Sequence, residues 1–334
     1  MRTAVIGAGA MGTALALVLR EAGSDVSICA TEFDTLFVEA IEKDRLHPSL
    51  GIEVPSDISI AGPDAWEVVL GEAEVVVVAV ASVGFRDTVK RSRPMLNESS
   101  IWAVATKGWD PSSAQPLSEV LAEEAPDHPA VIVVGPSLAA ELAGGTPTAM
   151  VCASRDISAA EKVANALDSP TLKLYLTDDI AGVEIGAAMK NVLAIAIGMA
   201  DGLSESTGIP MTNTRAALFS RGLVEMSQLA VAQGGRIGTI LGLSGAGDLF
   251  VTVLGGRNGK FGRLIGKGYE PQEAFDEMGT TVEGFDNVKE AKLLAEKRGL
   301  QLPVVWMVHS VLYEGMEPRK AIDSLTLGPP ESEL

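Results

Sequence analysis

Residues 4–12 read Ala4-Val5-Ile6-Gly7-Ala8-Gly9-Ala10-Met11-Gly12, an apolar, β-branched run that breaks into G-x-G-x-x-G and continues as the helical pattern Thr13–Ala22. Each glycine has its own duty where a strand turns directly into a helix around a pyrophosphate. The first permits the tight turn, the second lets backbone approach the phosphates, and the third lets helix and strand pack closely. The helix N-terminus adds N–H groups and a partial positive charge. The run predicts the opening turn of a Rossmann-type unit in which Gly7, Ala8, Gly9, Ala10, Met11 and Gly12 line a dinucleotide. A nicotinamide-dependent oxidoreductase is the activity this implies.

Downstream the same alternation continues. Strand-like runs at Asp25–Cys29, Val75–Val80, Ile101–Ala105, Val131–Val134, Ala149–Cys152 and Lys173–Leu176 are separated by helical patterns. Continuous valine runs fit strands buried on both faces, so the pattern predicts an α/β, doubly wound, mainly parallel sheet. From Asp178 onward strand patterns cease, and helical ones follow at about 180–201, 212–233, 258–267, 271–278, 284–298 and 304–314. We therefore expect two domains, 1–178 binding NAD(P) and 179–334 all-α and bearing the substrate, with the boundary between Leu176 and Ile180.

A chain of 334 residues is long enough for two cores, and 47% hydrophobic against 21% charged residues is a globular balance. The net charge of −18 repels polyanions, and no basic stripe offsets it, so nucleic acid is excluded as a partner. Cys29 and Cys152 are too few for a disulfide framework or metal cluster, and with no basic, apolar leader ahead of the first strand they point to the cytoplasm. The apolar run Val192–Ala200 is shorter than the ~20 residues that span a bilayer, so it reads as a buried core helix without membrane insertion.

The second strand should deliver the group that meets the adenosine ribose about 20 residues after the glycine loop. That spacing reaches Thr31-Glu32. Glu32 suits the ribose hydroxyls of NAD, whereas Thr31 has a hydroxyl to offer a 2′-phosphate, so both NAD and NADP stay open.

Lys190 and Asn191 interrupt an otherwise apolar helix, and a desolvated lysine can exchange its proton near neutral pH as general acid and base. Lys107, in Thr106-Lys107-Gly108, follows a strand at the sheet edge where doubly wound folds bind ligands, and supplies a second cation. In the glycine-rich stretch 242–260, Arg257 offers a planar fork for phosphate, Asn258 can cap the helix that follows, and Asp248 calls for a distant lysine. His47, His128 and His309 lack metal-ligand spacing and read as structural or exposed. No hydrolase or P-loop motif occurs.

Taken together these motifs closely resemble the soluble NAD(P)-dependent glycerol-3-phosphate dehydrogenases, in order from the glycine loop to about Gly315. G-A-G-x-M-G-T-A-L-A stands at 7–16, T-K-G at 106–108, G-P-S-L-A-A-E at 135–141 and M-K-N-V at 189–192. D-G-L, R-G-L-V-E-M, G-L-S-G-A-G-D-L, G-G-R-N, V-E-G and V-L-Y-E-G follow at 201, 221, 242, 255, 282 and 311.

The resemblance implies reversible hydride transfer between NAD(P)H and dihydroxyacetone phosphate, giving sn-glycerol 3-phosphate for phospholipid synthesis, in a homodimer. It implies Lys190 as proton donor and acceptor, Lys107 as second substrate lysine and Asp248 as the carboxylate orienting Lys190. Asn191, Arg257 and Asn258 become substrate contacts, with Gly135, Ser137 and Thr252 nearby. Lys107, Ala139, Arg257 and Glu283 line the cofactor. Where many bacterial members have serine before the Arg-Asn pair, this chain has Gly256. A dehydrogenase of another polyol phosphate or of a 2-hydroxy acid is the alternative, and a silent NAD(P) sensor the more distant one.

Overall fold

The computed structural model describes residues 1–327. It comprises two compact units, Met1–Glu184 and a second from Ile185 onward.

In the first unit eight strands form one sheet: β1 Arg2–Ile6, β2 Asp25–Cys29, β3 Ser59–Ala61, β4 Val75–Val78, β5 Ile101–Val104, β6 Ala130–Val134, β7 Thr148–Ala153 and β8 Leu172–Thr177. Their order is β8-β7-β6-β5-β4-β1-β2-β3. All neighbours are parallel except β6 and β7. β4, four valines, and β5, Ile-Trp-Ala-Val, are buried at every position, as strands covered on both faces are. The chain builds β1, β2 and β3 in one direction and then returns to add β4 on the other side of β1. Such a reversal opens a crevice at the carboxyl ends of the strands.

β3 escapes the sequence pattern because it is three residues long and only Ala61 is buried. The two-residue hairpin strands Leu46–His47 and Ile52–Glu53 escape it for the same reason. The strand pattern ends with β8 at Thr177, yet the first unit runs on to Glu184. Its reason is local: the Glu184 carboxylate accepts the Ser118 amide at 2.8 Å and the Ser118 hydroxyl, capping helix Leu117–Glu124 within that unit.

The second unit is helical, with no strand among the described residues. The apolar run Val192–Ala200 belongs to a helix spanning Ile180–Thr207, long and apolar enough by length and composition to cross a membrane, with 89% of its most apolar window buried in the protein. Ile237–Gly255 passes the same test and is 33% buried.

The stretch 242–260 is largely helical, interrupted at Gly256, whose backbone is extended. A π-helical turn Leu243–Gly247 leads into helices Asp248–Gly255 and Arg257–Gly266. The glycines serve close approach. A Cβ at Gly198 would lie 2.3 Å from the Gly259 carbonyl oxygen, one at Gly262 2.2 Å from that of Ile195, and one at Gly266 2.1 Å from that of Met199. Helices Ile180–Thr207 and Arg257–Gly266 thus touch backbone to backbone, and the propensity cost of glycine, about 1 kcal/mol per residue, is accepted for that contact.

Candidate active site

In the first unit the glycine turn has the shape its spacing predicts. Gly7 takes φ +108°, and a Cβ there would sit 2.8 Å from the Ala79 carbonyl oxygen. A Cβ on Gly12 would sit 2.1 Å from the Gly7 carbonyl oxygen, whereas one on Gly9 would meet nothing within 4 Å. Two glycines are therefore demanded by the protein itself, and the middle one faces open space. Gly9 caps helix Ala10–Glu21, whose first turn carries neither a side-chain cap nor an acidic residue. Bare N–H groups beside an open glycine are what a pyrophosphate needs, so these residues fit a dinucleotide.

The Ala8 carbonyl is held from two sides, by the Thr13 hydroxyl at 3.2 Å and by His47 Nε2 at 3.1 Å. His47 is fully buried and stacks on Phe37, and its Nδ1 accepts the Leu50 amide at 3.2 Å. That bond makes the ring a neutral Nε2–H donor, and burial holds its pKa below the usual histidine value. His47 is therefore a structural histidine that pins the cofactor turn. No local sequence signal marks this role.

At the end of β2, Thr31 donates its hydroxyl to Asp34 Oδ2 at 2.7 Å and accepts the Phe33 amide at 3.3 Å. Its proton is thus engaged by Asp34. Glu32 instead meets Arg91, Oε2 to Nη1 3.2 Å, a residue 59 positions away that sequence spacing alone does not bring into view.

Beyond β5 and β6, Lys107 Nζ donates to the Gly135 carbonyl at 3.3 Å and Ser137 Oγ donates to the same oxygen at 3.1 Å. A Cβ on Gly135 would come within 2.9 Å of Met150 Cα, which explains the glycine. Ala139 opens the short helix Ala139–Ala143 just after them.

In the second unit, Lys190 Nζ lies 2.5 Å from Asp248 Oδ1, with the side chains 7% and 1% exposed. At the residue after Lys190 a polar chain begins. Asn191 Nδ2 donates to Glu283 Oε2 at 3.1 Å, Asn258 Nδ2 donates to Asn191 Oδ1 at 2.9 Å, and Asn258 Oδ1 accepts the Gly284 amide at 2.9 Å. Asn258 therefore caps helix Glu283–Lys297 and not its own. Each amide NH₂ has a second hydrogen beyond these bonds, suited to a phosphate or hydroxyl oxygen. Arg257, half exposed, points its fork to within 3.8 Å of Glu283 Oε1. Thr252 donates its hydroxyl to the Asp248 carbonyl at 2.7 Å, so its proton is engaged within its own helix. A side chain at Gly256 would strike Thr252, 2.5 Å from its carbonyl oxygen, so the serine of many bacterial relatives has no room here.

A dinucleotide turn in one unit, and in the other a buried lysine–carboxylate pair together with an amide network and a half-exposed guanidinium, are the equipment of a nicotinamide-dependent dehydrogenase of a polar, anionic substrate. Residues 2–160 match the N-terminal profile of NAD-dependent glycerol-3-phosphate dehydrogenase and residues 179–323 its C-terminal profile. The chain belongs to the NAD-dependent glycerol-3-phosphate dehydrogenase family and, like its members, is an NAD(P)-dependent oxidoreductase.

Among relatives, the glycerol-3-phosphate dehydrogenase [NAD(P)+] of Thiobacillus denitrificans is 39% identical over 97% of this chain and 97% of its own. That of Lysinibacillus sphaericus is 36% identical over 98% and 96%. The crystal structure of glycerol-3-phosphate dehydrogenase from Coxiella burnetii, 32% identical, superposes with a TM-score of 0.89 over 98% of both chains.

Proposed function

We propose that this chain interconverts dihydroxyacetone phosphate and sn-glycerol 3-phosphate, that it does so in the cytoplasm as a homodimer, and that it supplies glycerol 3-phosphate for phospholipid synthesis. The observation that carries the chemistry is the buried Lys190–Asp248 contact, with the amide network of Asn191 and Asn258 beginning at the next residue of the same helix.

When bound, the nicotinamide ring supplies or accepts the hydride at C2 of the substrate. As negative charge grows on the carbonyl oxygen, Lys190 delivers a proton to it from Nζ. In the reverse direction the same nitrogen takes the hydroxyl proton. Asp248 fixes the direction of that nitrogen, and Lys107 adds a second positive charge toward the oxygen. Arg257 and Asn258 grip the phosphate, Asn191 orients the substrate, and Gly135, Ser137 and Thr252 complete its surroundings. Gly7 to Gly12, Thr31, Glu32, Lys107, Ala139, Arg257 and Glu283 line the cofactor. Residues 1–178 form the NAD(P)-binding domain in this reading, and 179–334 the substrate domain.

Purified protein given NADH or NADPH should lose reduced-nicotinamide absorbance when dihydroxyacetone phosphate is added, and a panel of other polyol phosphates and 2-hydroxy acids should react more slowly. No turnover with either cofactor overturns the activity. Light scattering on the eluting peak of a sizing column tests the dimer.

A further inference from the structure

Trp66, Arg91 and Glu32 form a small assembly at the carboxyl end of β2, and of the three only Glu32 has a role assigned above. Trp66, 1% exposed, donates its indole N–H to the Ala30 carbonyl at 3.1 Å and is thereby fixed beside the residue that follows the strand. The Arg91 guanidinium lies over that indole, 4.5 Å from the ring centroid. Its Nη1 reaches Glu32 Oε2 at 3.2 Å, with side-chain exposures of 39% and 60%. A stacked guanidinium keeps its planar fork oriented while its partner is free to move.

Thr31, the other group in reach of the adenosine ribose, has committed its proton to Asp34. This leaves Arg91 as the donor at that end of the strand suited to a phosphate, and Glu32 as the acceptor suited to hydroxyls. A ribose with free hydroxyls satisfies Glu32 and leaves its ion pair in place. A 2′-phosphate, dianionic and without a donor proton, repels Glu32 and attracts Arg91.

We propose that Glu32 and Arg91 act as one reader of the adenosine 2′ position: Glu32 accepts the ribose hydroxyls of NAD(H), and Arg91, exchanging Glu32 for phosphate, admits NADP(H). The inference rests on the glycine turn being a dinucleotide site. With the carboxylates of Glu32 and Asp34 both close by, the native chain binds NADH more tightly than NADPH. Arg91 is what keeps the second cofactor usable.

The test is a fluorescence titration of NADH and NADPH, with competition by 5′-ADP and 2′,5′-ADP, on native protein, Arg91→Ala, Arg91→Lys and Glu32→Gln. The readout is the ratio of dissociation constants for the two nucleotides on the same folded protein, which a general loss of stability does not move. Arg91→Ala should shift that ratio against NADPH and 2′,5′-ADP by about tenfold or more, the scale of one charge-assisted contact. Arg91→Lys should recover part of the shift, because charge remains without the fork. Glu32→Gln should move the ratio the opposite way. An unchanged ratio in Arg91→Ala, or shifts of the same sign in Arg91→Ala and Glu32→Gln, overturns the proposal while leaving the dinucleotide site intact. Failure of native protein to bind either nucleotide overturns both.

Discussion

Gly186 and Ser244 stand in main-chain contact four residues before the buried Lys190–Asp248 pair: a Cβ on Gly186 would lie 2.5 Å from the Ser244 carbonyl oxygen, and Lys190 and Asp248 are each four residues further on. The helix bearing the lysine and the turn leading to the carboxylate are thus held together by backbone before any side chain is placed.

Gly186→Ala should consequently separate those two segments. We expect a fall of about 1–3 kcal/mol in unfolding free energy, the usual cost of forcing a methyl group into a filled site. Turnover should fall further than that loss of stability explains, since proton transfer depends on hydrogen-bond reach. Urea unfolding and kcat measured at a temperature where the variant is fully folded separate the two effects. Unaltered kcat would show that the spacing tolerates relaxation.

Lys190→Ala should lower kcat by about 10²–10⁴-fold, the range for a general acid–base group, with cofactor binding retained. Asp248→Ala removes the carboxylate that meets the buried Lys190 nitrogen at 2.5 Å and should destabilise the protein by about 3–5 kcal/mol. Asp248→Asn keeps shape and one acceptor, so it should fold better than the alanine variant and still turn over slowly. Full activity in Lys190→Ala would remove the proton-transfer role.

Gly12→Ala tests the cofactor turn. The added methyl group collides with the Gly7 carbonyl, 2.1 Å away, so the turn must open. NADH affinity should weaken by about tenfold or more, equivalent to at least ~1.4 kcal/mol. Native-like affinity, read by titrating the quenching of protein fluorescence, would contradict the packing reason for this glycine.

Glu225 and Glu184 set a pH dependence of stability. Both are buried, and burial pushes each up to about 7. Glu225 accepts the Val304 and Val305 amides at the start of helix Pro303–Tyr313. Because the folded state holds these protons more tightly than the unfolded chain, their contribution is fully present below the ordinary glutamate range. It is lost as pH rises toward 7 and is level above that. Each contributes up to roughly 3 kcal/mol across the window. Urea midpoints should therefore decline from pH 5 to pH 7, and Glu225→Gln should flatten the decline. An identical slope in the variant would remove Glu225 as a source.

The sheet was legible because its inner strands are short, nearly uninterrupted apolar runs, Val75–Val78 and Ala130–Val134 above all, a signal that survives without neighbours. β3 was not, since three residues with a single buried position carry no periodicity. The glycine stretch 242–260 was ambiguous for a physical reason: glycine is common both where backbone must bend and where backbone must be approached, and sequence alone does not separate these. The pairing of Asp248 with a remote lysine could be suspected from its apolar, glycine-rich setting. Arg91 could not, because what brings it to Glu32 is the crossing of a helix from another part of the sheet and a stack on Trp66. Thr31 looked available until Asp34, three residues on, took its proton.

The glycine-to-backbone contacts that join Ile180–Thr207 to its neighbours also say something about how this enzyme can change over generations. Contacts made by main chain have no side-chain dictionary: a leucine can become an isoleucine and the fit be restored elsewhere, but a missing Cβ has no near synonym. The helix scaffold that carries the lysine is therefore a frozen part, while exposed side chains such as Arg257, Glu32 and Arg91 remain open to drift. New substrates and altered cofactor preference should be reached by rewriting those outer residues, and selections that randomise Gly186, Gly198, Gly262 or Gly266 should return glycine.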